Sequence, residues 1–332
     1  MTIVRFNVCI NGIEYKINMP KVRDFISITD LTIQELLGVL SSAKKMKAEF
    51  KKTGKNSPVL SRKTLIMMFE KPSLRTHASF EIGMTQLGGH ALYFGPEHIG
   101  LGKREPVEHA AKVLSSMGDV IMARVFAHKT VQELALCATI PVINGLSDLE
   151  HPCQILADLL TILEQKRSFK HIKIAFIGDG ENNVTHSLAL ACGMLGMHFV
   201  AASPKGYTMS EDVVSRAVIL ATKNGGSIAQ TRNPNDAVRD ADVVYTDTWV
   251  SMGDETSKSL RLKAFRAYQV DRKLMRLAKP NAIFMHDMPA YLGNEVTKEV
   301  YDSSQSVVYQ QAENRLHAQK ALLVFLYRGG MK

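Results

Sequence analysis

Three short stretches carry residue types able to act on an anion or a carbonyl. Ser73-Leu74-Arg75-Thr76 follows the apolar run Thr64 to Phe69 and precedes an amphipathic pattern through Phe80, Ile82 and Leu87. A serine at that place can cap a helix, leaving free backbone N–H groups and the positive helix end beside two hydroxyls and a guanidinium. The combination suits an anion such as phosphate, although an ordinary helix cap with a solvated Arg75 fits the same four residues. Arg124 sits at the end of a second apolar run, Val120 to Val125. In His151-Pro152-Cys153-Gln154, proline suits a first helical position, which brings His151 and Gln154 to one side of a helix start as donors to a carbonyl oxygen.

Elements that could position these residues are legible in the apolar spacing. Ile3 to Met19 alternates on either side of Asn11-Gly12, the pattern of a β-hairpin. From Thr32 the period becomes helical: Ile33, Leu36, Leu37, Leu40 and Phe50 share a stripe, Thr32 and Glu35 form a capping box, and Gly54 follows the end. Strand candidates then alternate with helix-like segments: Thr64 to Phe69, Ala91 to Phe94, Val120 to Val125 and Pro141 to Ile143. After a helix from Pro152 to Gln165 come Lys173 to Ile177, Phe199 to Ala202, Ala241 to Thr246 and Ala282 to Met285. The expectation is an α/β protein of two doubly wound parallel-sheet domains joined near residue 150, with ligands beyond the carboxyl ends of the strands.

Composition narrows the function classes. The 332 residues are 45% apolar, enough for two domains with separate cores. No apolar run approaches the roughly 18 residues of a membrane span, and the N-terminus lacks a signal-peptide layout, so a cytoplasmic location is expected. Cys9, Cys137, Cys153 and Cys192 show neither metal-ligand spacing nor a disulfide framework. The formal charge of +9 is spread among acidic residues, as on solvated helix faces, and would also suit a small anionic substrate. No nucleic-acid or membrane partner is expected.

The three stretches together resemble the aspartate and ornithine carbamoyltransferases. Ser73-Leu74-Arg75-Thr76 is similar to their S-T-R-T motif, and His151-Pro152-Cys153-Gln154 matches H-P-x-Q. Asp247-Thr248-Trp249-Val250-Ser251-Met252-Gly253 resembles D-x-x-x-S-M-G of the ornithine branch, and Glu313-Asn314-Arg315 its late arginine. The resemblance implies a carbamoyl-phosphate site of Ser73, Leu74, Arg75, Thr76, Arg124, His151, Gln154, Asp287, Met288 and Arg315. It implies an ornithine site of Asn183, Asp247, Ser251 and Met252, with Arg124, His151, Asp247 and Asp287 as the catalytic groups. It further implies transfer of a carbamoyl group from carbamoyl phosphate to the side-chain amine of ornithine, no metal or organic cofactor, and a homotrimer or a higher multiple. The implied domains are a hairpin extension (1–25), a carbamoyl-phosphate domain (26–150) with helix 313–330 packed back on it, and an ornithine domain (151–312).

Four positions depart from the family pattern. Leu74 replaces the second motif residue, where backbone N–H groups do much of the work, and His77 stands in place of an arginine. Gly100 occupies the position of a Gln or His that reaches a neighbouring subunit, and Asp287 occupies that of a cysteine in H-C-L-P. An ionised Asp287 would favour the unreactive ammonium while tightening its binding; coupling to Asp247 would instead leave Asp287 protonated and thiol-like. Rival readings are transfer to putrescine or an N-acylated ornithine, against which Asp247 to Gly253 speaks, and a non-catalytic carbamoyl-phosphate-binding homologue. A nicotinamide-dependent dehydrogenase is a weaker rival, because Gly178-Asp179-Gly180-Glu181-Asn182-Asn183 lacks the third glycine of the dinucleotide motif.

Overall fold

The computed structural model describes residues 23–100, 105–250 and 258–329 in full, and the backbone alone of 3–10 and 13–20. Strands β1 (Ile3–Ile10) and β2 (Ile13–Pro20) pair antiparallel from Ile3 with Pro20 to Ile10 with Ile13, as the alternation predicts. The turn residues Asn11 and Gly12 lie outside the described residues.

Helix α1 (Ile33–Thr53) starts at the Thr32–Glu35 capping box and ends at Gly54, whose φ of +72° is the left-handed cap that glycine adopts freely. Its buried stripe differs from the expected one. Leu36, Val39, Leu40, Ala43 and Lys47 face inward, while Ile33 and Leu37 are exposed, because the helix rests on other helices along a face rotated from that stripe.

The first half follows as β3 (Thr64–Phe69), α2 (Leu74–Gln86), β4 (His90–Phe94), α3 (Val107–Met117), β5 (Val120–Arg124), α4 (His128–Cys137) and β6 (Val142–Leu146). All four strands are parallel, in the order β4-β3-β5-β6. The chain leaves β3 for one edge and returns on its other side, so the crevice of this sheet opens at the carboxyl ends of β3 and β5. Phe69 and Arg124 are register partners there.

Helix α5 (Pro152–Lys166) crosses to the second half. There lie β7 (Lys173–Ile177), α6 (Asn183–Leu195), β8 (His198–Ala202), α7 (Glu211–Asn224), β9 (Ser227–Thr231) and α8 (Pro234–Val238). After them come β10 (Val243–Thr246), α9 (Lys258–Phe265), α10 (Arg272–Met275), β11 (Ile283–His286), α11 (Lys298–Tyr301) and α12 (Val308–Tyr327). These strands are also parallel, in the order β11-β10-β7-β8-β9, which puts the reversal between β7 and β10. Strand β9 has no counterpart among the sequence expectations: its Ser-Ile-Ala-Gln-Thr is largely exposed at the sheet edge and carries no apolar run.

Helix α12 packs against α1, α2 and α5 and so ties the end of the chain to the first sheet's helices. Lys320 donates to Asn56 Oδ1 (2.6 Å) and Gln86 Oε1 (2.7 Å), and Lys47 to Asn314 Oδ1 (2.6 Å) and Glu164 Oε2 (2.9 Å). Each buried ammonium therefore keeps polar partners in place of water. Among the described residues no helix is long and apolar enough to cross a membrane.

Candidate active site

Ser73 caps α2: its Oγ accepts from Thr76 N–H (3.4 Å) and donates to Thr76 Oγ1 (3.2 Å). The first turn carries no acidic residue, so the positive helix end is left for an outside anion. Leu74 points away, 80% exposed, and contributes to the loop through its backbone. Arg75 Nη2 donates to the Met288 carbonyl at 2.6 Å. His77 is engaged elsewhere, paired with Glu81 (2.6 Å) and stacked on Tyr93 at 4.2 Å between centroids.

Arg315, on α12, joins two of the predicted stretches. Its Nη1 donates to Gln154 Oε1 (2.6 Å) and its Nη2 to Thr76 Oγ1 (3.2 Å). Gln319, with its amide oxygen turned to Arg315, accepts from Nε (3.1 Å) and Nη2 (3.0 Å). Gln154 in turn donates to Asp158 (2.9 Å), a fully buried carboxylate that also receives Gln311 (2.7 Å) and the Tyr245 hydroxyl (3.0 Å). Burial pushes Asp158 up to about 7 against these three donors.

Arg124 is buried, and its Nε has no hydrogen-bond partner among the described residues; the same holds for His151 Nδ1. Burial, with Arg315 and against Asp287, pulls Arg124 down to about 10. Burial first, then Arg315, Arg124 and Arg75, hold His151 well below the ordinary histidine range. The imidazole is therefore neutral, able to donate to a carbonyl oxygen without adding a fourth charge. Three guanidiniums around a neutral ring, those of Arg124 and Arg315 buried and that of Arg75 partly so, disfavour one another unless an anion joins them. A phosphate dianion supplies that charge, and the unpartnered donors suit a polarised carbonyl.

The second half places its carboxylates by strand register. Thr246 of β10 pairs with His286 of β11, so Asp247 and Asp287 leave adjacent strands at the same level. Asp247 Oδ2 accepts from Asn182 (2.5 Å) and Oδ1 from Thr248 N–H (2.6 Å). Burial and the charge of Asp287 push Asp247 well above the usual carboxylate range. Asp287 meets the same burial penalty, against which a hydrogen bond with Asp247 and the charge of Arg75 act. Burial and mutual repulsion thus couple the two carboxyls, as one of the two outcomes anticipated for this pair requires.

His286 is buried, its Nε2 3.2 Å from Glu295 and its Nδ1 3.5 Å from Asp287. Burial favours a neutral ring, whereas bonds with Asp287 and Glu295 push His286 up to about 9. The Met288 N–H, however, points at Nδ1 from 2.9 Å and needs a lone pair there, so we place the single ring proton on Nε2. Asp247, His286 and Asp287 have ligand-type atoms within 4.8 Å of one another. Since both ring nitrogens are engaged, the trio is poorly suited to a metal ion. Met288 has a φ of +61° and precedes a cis proline.

Asn183 donates to the Ser147 carbonyl (2.8 Å), while its neighbour Asn182, which sequence reasoning did not single out, bonds Asp247. A Cβ on Gly180 of this turn would lie 2.6 Å from the Tyr207 carbonyl, so only glycine lets the loop pass. Ser251 and Met252 lie outside the described residues. Arg261 of α9, also unanticipated, is buried; it donates to the Trp249 carbonyl (2.6 Å), pairs with Asp179 and stacks over Tyr207 at 4.9 Å.

A two-domain α/β chain whose sheet switch points face each other across an arginine-rich anion site is the architecture of a group-transfer enzyme. Residues 23–164 match the family model "Aspartate/ornithine carbamoyltransferase, carbamoyl-P binding domain", and residues 170–326 match its "Asp/Orn binding domain". The chain belongs to the aspartate/ornithine carbamoyltransferase family. It is 50% identical over 310 residues to the anabolic ornithine carbamoyltransferase of Pyrococcus furiosus, covering 93% of this chain and 98% of that one. The solved ornithine carbamoyltransferase structure from Pyrococcus furiosus superposes with a TM-score of 0.89 at 50% identity, over 93% of this chain and 98% of that one. The anabolic enzyme structure from Campylobacter jejuni gives 0.86 at 40% identity, over 92% and 98%.

Proposed function

We propose that this chain transfers the carbamoyl group of carbamoyl phosphate to the side-chain amine of L-ornithine, giving L-citrulline and phosphate. The observation that carries the reading is Arg315, whose guanidinium bonds both the Thr76 hydroxyl of the anion loop and Gln154 of the carbonyl-donor helix. One cation thereby spans the two ends of a small molecule that is phosphate at one end and amide at the other. The ornithine carbamoyltransferase name of relatives near 50% identity supports the choice of amine.

In this reading Ser73, the Leu74 backbone, Arg75, Thr76 and Arg315 hold the phosphate. Thr76, Arg124, His151 and Gln154 polarise the carbonyl, and Asp287 and Met288 border the carbamoyl group. Asn183, Asp247, Ser251 and Met252 receive the amino acid. The amine nitrogen attacks the carbonyl carbon, the bond to the phosphate oxygen breaks, and the arginines stabilise the charge that grows on both oxygens.

Domains of 26–150 and 151–312, with helix 313–330 returning to the first, follow the same reading, as do a homotrimer, a cytoplasmic location and a role in arginine metabolism. The exposed Leu74 beside the anion loop supports a subunit contact there. Cys137, Cys153 and Cys192 are unpaired, as a reducing compartment leaves them. Carbamoyl phosphate labelled at its carbon, incubated with the purified chain and ornithine, should yield labelled citrulline; label retained in carbamoyl phosphate or its breakdown products alone would refute the reading.

A further inference from the structure

We propose that Asp247 and Asp287 form a proton-exchange pair: they hold one proton between them in the empty site, and the cationic end of the amine substrate expels it to solvent on binding. The inference deepens the proposed function and rests on it for the identity of the amine.

Register brings the two carboxylates together, since each follows one of the paired residues Thr246 and His286. Both lie where water is scarce, with ligand-type oxygens inside the 4.8 Å cluster, and Asp287 Oδ1 has no hydrogen-bond partner among the described residues. No lysine or arginine bonds either carboxylate among those residues. Two carboxylates at such a separation, Asp247 buried and Asp287 partly so, cannot both ionise cheaply, so they bind a proton as a unit.

The surrounding charges do not remove this demand. Among the nearby acids, Asp158 of α5 is partly ionised at neutral pH, Glu295 lies beside His286, and the Tyr245 hydroxyl is neutral, so none of them supplies a cation. On the cationic side stand Arg75, Arg124 and Arg315, which act on Asp287 from a distance and are themselves the groups that a phosphate would neutralise. Filling the anion site therefore strengthens the pair's hold on a cation. His286, with its Nδ1 lone pair directed to Met288 N–H, supplies no charge.

An arriving ammonium replaces the shared proton. The pair passes from one negative charge to two, and one proton goes to the buffer. Before attack the same pair can take a proton back from the ammonium, because two coupled carboxylates bind a proton more tightly than one. Asp287 thus selects substrates with a cationic reacting end and serves as their proton acceptor.

Calorimetry of the full chain in buffers of different ionisation enthalpy tests this, with phosphonoacetamide present as a carbamoyl-phosphate isostere that cannot transfer its acyl group. Ornithine should release about one proton per site at neutral pH, whereas norvaline, which lacks the amine, should release none. In Asp287→Asn the release should vanish, and ornithine affinity should fall by roughly tenfold or more while norvaline affinity holds. Release that persists in Asp287→Asn would mean that the proton comes from the ammonium, and would overturn the proposal. Infrared difference spectra of the ligand-free protein supply a test that needs no substrate. A protonated-carboxyl component at neutral pH, separate from the one that Asp158 contributes, should disappear in both Asp247→Asn and Asp287→Asn, and spectra unchanged by either substitution would overturn the proposal even if citrulline is made. Failure to make citrulline with the band present would instead refute only the choice of amine.

Discussion

Arg75, in the anion loop after the first sheet's β3, bonds the Met288 carbonyl in the loop after the second sheet's β11, 213 residues further along the chain. The guanidinium is a planar fork, so one arm can hold Met288 while the others face a phosphate. Lysine offers a point charge without that geometry. Arg75→Lys should lower kcat/KM for carbamoyl phosphate by about 100-fold, on the scale of a lost oxyanion donor. Steady-state kinetics with unchanged kcat/KM would remove Arg75 from the phosphate site.

Arg261 fastens the two loops that flank Asp247. It holds the Trp249 carbonyl after β10 and the Asp179 carboxylate after β7, between the rings of Tyr207 and Phe265. Removing one partner leaves a buried charge, so Arg261→Ala should destabilise the protein by about 3–5 kcal/mol in urea unfolding. Arg261→Lys, which keeps the charge and loses the fork, should raise KM for ornithine several-fold and leave KM for carbamoyl phosphate unchanged. Equal changes in both constants would show that the residue stabilises the fold without positioning the ornithine loops.

His317, on α12, sets a direction for stability against pH. Burial first, then Lys320 and Lys47, against Glu313, pull it down to about 4. Its unfolded value is near 6.5, so between the two the unfolded chain binds more protons, and stability falls as pH drops through that window. His317→Asn cannot be protonated and should flatten the loss, on the order of 1–2 kcal/mol between pH 7 and pH 5. Thermal unfolding midpoints that fall equally for wild type and variant would assign the acid sensitivity to other groups, with buried His151 and His186 next.

Much of the site could be read from sequence because parallel sheets advertise their strands as short apolar runs. The residues just past Phe69, Val120–Arg124 and Thr246 then fall at carboxyl ends by rule. What escaped depends on which side a residue faces. Strand β9 is polar because it lies at an edge, and Ile82 is exposed although its spacing suggested a buried face. Asp158 lies on the buried side of helix α5 among Ile155, Leu156, Leu159 and Ile162, and nothing in the pattern around it marks it as the receiver of Gln154, Gln311 and Tyr245. The closeness of Asp247 and Asp287 requires the pairing register of β10 with β11, which the 39 residues between the two aspartates do not encode locally.

Product formation from carbamoyl phosphate with a panel of amines tests the central claim most directly. Ornithine, putrescine and N-acetylornithine offered at equal concentration to the purified chain should give ureido product with ornithine as the preferred acceptor, by roughly 100-fold or more in kcat/KM, as expected of a site that recognises the amino-acid end by polar groups. Comparable or faster reaction with putrescine or N-acetylornithine, or no ureido product from any of the three, would contradict the account.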